Sequence, residues 1–289
     1  MHCLRPAIPR PRDFHLKYVD DLSVLSAINL KVDLIDDPVL RVKPLRFEER
    51  FGKIMKPDSQ IQRDLITLHT FTSRKQLRIK EIKTCTIKLN FSKTIDFPVE
   101  LVIPEFQNYI SITDEAKVLG IIISNNLSWE SNTQYICNKA LKKMWVLRRL
   151  KRLDVERSFI VDVYKKEVRS LLEIAVPAWH GALTARQSND IERVQKVAMA
   201  IILGVRLPSE QARALLCLQP LSVRRVEICK KFAKKTLNSR HADIFEMNVQ
   251  SYTYNTRHKQ PFVELKCNTN RFYDSPVNYL TRLLNSTLS

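Results

Sequence analysis

Two adjacent aspartates, Asp20 and Asp21, stand inside the otherwise apolar run FHLKYVDDLSV, residues 14–24. Side by side their carboxylates repel each other, and either solvent or a cation must relieve that repulsion. Hard cations such as Mg2+ take oxygen ligands, and adjacent carboxylates fixed at a bend can serve two ions a few Å apart. Such an ion pair activates a 3′-hydroxyl and stabilises a departing pyrophosphate. Aspartate also favours turns, so the pair taken alone equally describes a solvated bend, as Asp36-Asp37 does.

The surrounding pattern supplies elements that could fix such a bend. Phe14, Leu16 and Tyr18, then Leu22 and Val24, alternate as two short strands with Asp20-Asp21 at the turn between them. Residues 30–60 carry Pro38, Pro44 and Pro57 with mixed charge, and read as a surface insertion or long loop. Ile61, Leu65, Leu68 and Phe71 are at helical spacing within 61–79, which predicts a helix packed on the sheet. Residues 84–92 alternate as a strand. The run AKVLGIIIS, 116–124, reads as one buried strand entering a tight turn at Asn125-Asn126.

After Trp129 the pattern turns helical. Ile136, Ala140, Met144, Leu147 and Leu150 cover about a third of the circumference of a helix over 131–152. Lys142, Arg148, Arg149 and Arg152 occupy its far side. A second helix runs to about residue 175, followed by Pro177. A third begins at Thr184, where Thr184-x-x-Gln187 matches a capping box, and carries the stripe Ile191, Val194, Ala198, Ile201 to a stop at Gly204. Helices over about 209–217 and 222–238 each open on a serine, Ser209 and Ser222. The last 50 or so residues are polar and poorly patterned.

Composition narrows the function classes. The formal net charge is +18 over 289 residues, which favours a polyanionic partner through release of counterions from phosphates. Four glycines, none in a GxGxxG or P-loop arrangement, exclude a glycine-rich phosphate cradle. The six cysteines form no CxxC pair, which argues against zinc; Cys137 and Cys229 read as small core residues. No signal peptide and no bilayer-length apolar run is present, so an intracellular location, nuclear or cytoplasmic, without a membrane is expected.

Tyr18-Val19-Asp20-Asp21 between strand-like runs resembles the palm signature of reverse transcriptases. In the matching order follow LRIKEIKTC (77–85), KVLGIIISNNLSWESNTQYICNKALKKMWVLRRLKRL (117–153), RQSNDIERVQKVAMAIILG (186–204) and LCLQPLSVRRVEICKKFAKK (216–235). From Phe14 to Arg257 the chain resembles the C-terminal portion of a reverse transcriptase from a non-LTR, jockey-like retrotransposon. The resemblance implies an α+β fold. An unstructured start (1–13) precedes a partial palm of antiparallel strands and a helix, with a YVDD hairpin and a primer-grip-like strand (14–128). A helical thumb and connection region (129–240) and a tail (241–289) follow.

The resemblance also assigns roles. Asp20 and Asp21 match the Mg2+-binding pair, Tyr18 a residue near the template–primer and nucleotide end, and Lys83 a lysine near the incoming phosphates. Val118, Leu119 and Gly120 match the start of the primer grip. Lys142, Arg148, Arg149 and Arg152 on the basic helix 139–152 match a thumb that tracks phosphates of an RNA–DNA template–primer. Such polymerases need a further aspartate from a strand well upstream, yet only Asp13 precedes Tyr18. The chain is therefore expected to begin partway through the palm, to hold ions weakly and not to polymerise alone. The alternative is a non-catalytic, basic nucleic-acid-binding remnant.

Overall fold

Strand β1 (Phe14–Tyr18) runs antiparallel to β2 (Asp21–Leu25), with Phe14 opposite Leu25 and Tyr18 opposite Asp21. Alternating apolar residues thus pair as a hairpin where the alternation predicts one. The computed structural model describes residues 14–18, 21–25, 60–77, 79–80, 83–89, 110–245 and 261–288; for 14–18, 21–25, 60–64 and 288 only the backbone path is described. The unstructured start, the insertion expected at 30–60 up to residue 59, Asp20 and Asp36-Asp37 lie outside the described residues. The chain divides into two compact units, Met1–Leu127 and Ser128–Ser289.

In the first unit, helix α1 (Gln60–Arg74) occupies most of the predicted 61–79, and Gln76 at φ 54° follows its end. Of the strand expected over 84–92, residues 90–92 lie outside the described residues. Among its described residues only β3 (Cys85–Thr86) pairs, with β4 (Ser111–Ile112), and it does so in parallel rather than in the antiparallel manner expected of the palm. A partner two residues long can satisfy no more of the backbone than that. The run AKVLGIIIS is not one buried strand but a hairpin, β5 (Glu115–Val118) against β6 (Ile121–Ser124). Leu119 and Gly120 both take positive φ, 49° and 88°, as a tight two-residue hairpin turn requires. Of the two strands only Ser124 is buried. The expected turn at Asn125-Asn126 is present. Asn125 donates from both its amide and its side chain to Asp114, at 2.7 Å each.

The second unit is helical. Helix α2 (Glu130–Arg152) buries Ile136, Cys137, Ala140, Met144 and Leu147. Helix α3 (Arg157–Val163) continues through a π-helical stretch, Tyr164–Arg169, to Ser170–Leu172. Pro177 does not merely follow that helix: it sits in the first turn of the short α4 (Val176–Trp179), where its missing N–H costs nothing. Helix α5 (Ala185–Leu203) opens with the predicted capping box. Thr184 Oγ1 accepts from the Gln187 amide at 3.2 Å, and Gln187 Oε1 accepts from the Thr184 amide at 2.8 Å. Gly204 closes the helix at φ 76°. Its buried stripe is Ile191, Val194, Ala198 and Ile202, with the neighbouring Ile201 only half-buried.

Helices α6 (Ser209–Leu216) and α7 (Leu221–Leu237) follow, but neither serine caps its helix. Pro208 and Pro220 stand at the cap positions, and α7 is capped from a distance. Glu192 of α5 accepts from the amides of Leu221 and Ser222 at 3.3 and 2.6 Å, which places a carboxylate against the positive end of α7.

The tail is more ordered than its composition suggests. Helix α8 (Asn270–Tyr273) is followed by α9 (Pro276–Leu288), which buries Asn278, Leu280, Thr281, Leu284 and Asn285. Asn285 exchanges two hydrogen bonds with the Phe262 backbone, each 3.1 Å. Gly181 is required here: a Cβ would lie 2.6 Å from Cγ of Tyr279 and 2.8 Å from its Cβ. Taken together the described residues are mostly helical with three two-stranded sheets, a loose α+β arrangement.

Candidate nucleic-acid interface

Helix α2 carries seven cations and one carboxylate, Glu130 at its start. At about 100° per residue, Lys142, Arg148, Arg149 and Arg152 span about 120° of the surface, opposite the buried stripe. All four are exposed. Among the described residues none of them is in an ion pair or a side-chain hydrogen bond. Lys143, by contrast, pairs with Glu167 at 3.0 Å. From Lys142 to Arg152 the face is about 15 Å long, which matches four to five phosphates of one strand at about 3.4 Å rise each.

What holds this face in place is helix α5, which lies parallel to α2. Near their starts Gln187 Nε2 donates to Glu130 Oε2 at 3.1 Å; near their ends the Lys151 stem lies 3.7 Å from where a Cβ on Gly204 would be. Polar residues on α5 then tie in the other helices. Gln195 accepts from the Tyr164 hydroxyl at 3.3 Å and donates to the Gln219 carbonyl at 3.0 Å. Arg225 of α7 is 1% exposed. Its Nη2 donates to Ser188 Oγ at 2.7 Å and its Nε to His180 Nδ1 at 3.4 Å. Nη1 has no hydrogen-bond partner and stands 4.0 Å from Glu192, whose oxygens are engaged in capping α7. Burial raises the nearby thiols of Cys137 to about 11 and Cys229 to about 12, so both remain uncharged core groups.

His180 must be neutral to accept from Arg225, and burial, then the guanidinium, lower its pKa to about 4. The unfolded imidazole takes a proton below about 6.5 and the folded one does not until about 4. Stability is therefore intact above pH 6.5 and declines as pH falls through that window, by about 2 kcal/mol after solvent screening. In His180→Asn the side-chain oxygen can take the place of Nδ1 without titrating. Urea midpoints of this variant are expected to lose that part of the acid slope, and a slope equal to the parent's would contradict the assignment.

The remaining sequence-derived residues belong to the first unit. Tyr18 ends β1 opposite Asp21, which begins β2, and Asp20 lies outside the described residues. Lys83 is exposed and precedes β3, its amide donating to the Lys80 carbonyl at 3.1 Å. Val118, Leu119 and Gly120 share the β5–β6 turn, where Leu119 is exposed and the space above Gly120 is open. Glycine there answers the backbone angle, not a crowded neighbour. Among the described residues no group of three or more His, Cys, Asp or Glu side chains converges where a metal ion could be held. No described helix is long and apolar enough to cross a membrane.

Two residues of the second unit went unread in the sequence. Trp145 is on the outer face of α2 and 63% exposed. Its signal was its i+4 spacing from Leu141, directly opposite the apolar stripe. Arg225 looked like one more cation of a basic helix, although it falls on the same face as Leu221 and Cys229. Comparison with protein-family models, curated proteins and solved structures finds no match to this chain.

Proposed function

We propose that this chain is the C-terminal palm and thumb portion of a non-LTR retrotransposon reverse transcriptase, holding an RNA–DNA template–primer without polymerising by itself. The observation that carries the reading is the exposed face of α2, where Lys142, Arg148, Arg149 and Arg152 present one sign of charge that no carboxylate among the described residues pairs with. A helix face left this way is suited to phosphates, which position a duplex without reading its sequence. The ordered motifs around Tyr18-Val19-Asp20-Asp21 support a polymerase origin over a generic basic protein. On this reading Asp20 and Asp21 are magnesium ligands, Lys83 stands near the nucleotide phosphates, and Val118-Leu119-Gly120 meets the primer. On this reading the two aspartates act together with a third carboxylate and a nucleotide-positioning surface, and Asp13 is the one acidic residue before Tyr18 in this sequence.

Two measurements test this. Anisotropy titrations with a labelled RNA–DNA hybrid are expected to show sequence-indifferent binding that weakens steeply with salt. Primer extension on an RNA template in Mg2+ is expected to give no incorporation with this chain. Incorporation is expected once the fingers and first palm strands of such a polymerase are joined upstream, and Asp20→Asn with Asp21→Asn should abolish it. Salt-independent binding, or incorporation indifferent to the two aspartates, would overturn the proposal.

A further inference from the structure

The cationic face of α2 contains a side chain that phosphate contacts do not account for. Trp145 is 63% exposed, and at about 100° per residue it is midway around the arc of Lys142, Arg148, Arg149 and Arg152. This unit is able to bury an indole: Trp179 is 1% exposed and its Nε1 donates to the Ile174 carbonyl at 2.8 Å. The ring of Trp145 is flanked one turn back by Leu141, itself 40% exposed, and one turn forward by Arg148 and Arg149. An aromatic surface of this size, left in water beside four cations that pair with no carboxylate among the described residues, matches a ligand with a flat apolar face beside phosphates.

Resting on the reading of α2 as a nucleic-acid-binding helix, we propose that Trp145 is a stacking platform for an unpaired base of a single strand whose phosphates lie along the four cations. The choice of a single strand over a duplex follows from geometry. Within a duplex every base face is covered by the next base pair, and its outside offers an indole only sugar and phosphate. An unpaired base exposes its π-face, and every base has one, so stacking adds affinity without requiring sequence. A protein partner is disfavoured by the same surroundings, since four like charges around one indole would have to be desolvated or matched by carboxylates. The single strand supplies the matching charge and the flat ring in one ligand.

The test uses the full chain, a labelled oligo(dT) of about 12 nucleotides, a length within the site sizes of single-strand binders, and a hairpin hybrid with both ends closed by loops. Trp145→Ala is expected to weaken oligo(dT) binding about tenfold and to leave closed-hybrid binding within about twofold. The slope of log affinity against log salt should be unchanged, because no charge is removed. Trp145→Phe, which keeps an aromatic face, should recover most of the loss. Because the side chain is exposed, far-UV circular dichroism of all three proteins should coincide. If oligo(dT) binds with steep salt dependence but Trp145→Ala is indistinguishable from the parent, stacking is wrong while nucleic-acid binding by the chain stands. If neither ligand binds, both are wrong. Sedimentation that shows self-association lost in Trp145→Ala, with oligo(dT) affinity unaltered, also overturns stacking and assigns the ring to a second copy of the chain.

Discussion

Replacing Lys142, Arg148, Arg149 and Arg152 together with glutamine is expected to flatten the salt dependence of hybrid binding. Each phosphate contact contributes about 0.9 to the slope of log affinity against log salt, so losing four removes about 3–4. Between about 50 and 200 mM salt the parent should then lose about a hundredfold more affinity than the variant. The fold should not change, because all four side chains are exposed and none is engaged in an ion pair among the described residues. Removing charge anywhere on a basic protein lowers non-specific attraction, so the comparison needs a control on the same unit. Lys230, Lys231, Lys234 and Lys235 on α7 give one of equal charge. If the α7 variant flattens the slope as much as the α2 variant, attraction is a matter of total charge and α2 has no special part in it.

How far the sequence reveals this arrangement depends on how much of each signal is local. The capping box at Thr184 and Gln187, the stop at Gly204 and the stripe of α2 are written within a few turns, and the structure has all of them. The hairpin β1–β2 is legible for the same reason, since alternation and a short turn lie within twelve residues. The β5–β6 turn is local too, but Leu119 hides it: a leucine at φ 49° defeats the expectation that a positive φ belongs to glycine or asparagine. Partners distant in sequence are not legible. Glu192 caps a helix that begins 29 residues later, so Ser222 seemed the natural cap and is not. Helix α9 buries Asn278 and Asn285, whose partners lie on other segments, and Thr281, whose hydroxyl donates back to the Val277 carbonyl of the same helix, so its apolar pattern looks broken until those bonds are seen. Among the candidate site residues, the cations of α2 could be read from spacing, whereas the exposure of Trp145 and the burial of Arg225 depend on which helices cover which faces.

Arg225→Ala is expected to destabilise the second unit by about 3–5 kcal/mol, the typical result of removing one member of a buried charged cluster. Against a total stability of about 5–15 kcal/mol this is a large fraction of the whole. The loss has three parts: Ser188 and His180 forfeit their donor, Glu192 forfeits its nearby cation, and the vacated volume lies between α5, α7 and α2. The charge itself is not what stabilises, because burial already disfavours it and Nη1 makes no hydrogen bond. Arg225→Met separates these effects. Methionine fills much of the space with a flexible apolar chain, and Glu192 keeps the two α7 amides it caps. The methionine variant should therefore recover more than half of what alanine loses, as replacement of buried ions by apolar side chains often does. Urea titrations of the three proteins read this directly. Alanine and methionine variants that both melt with the parent would mean the guanidinium is not enclosed, and equal severe losses in both would mean that its hydrogen bonds, not its volume, hold α5 against α7.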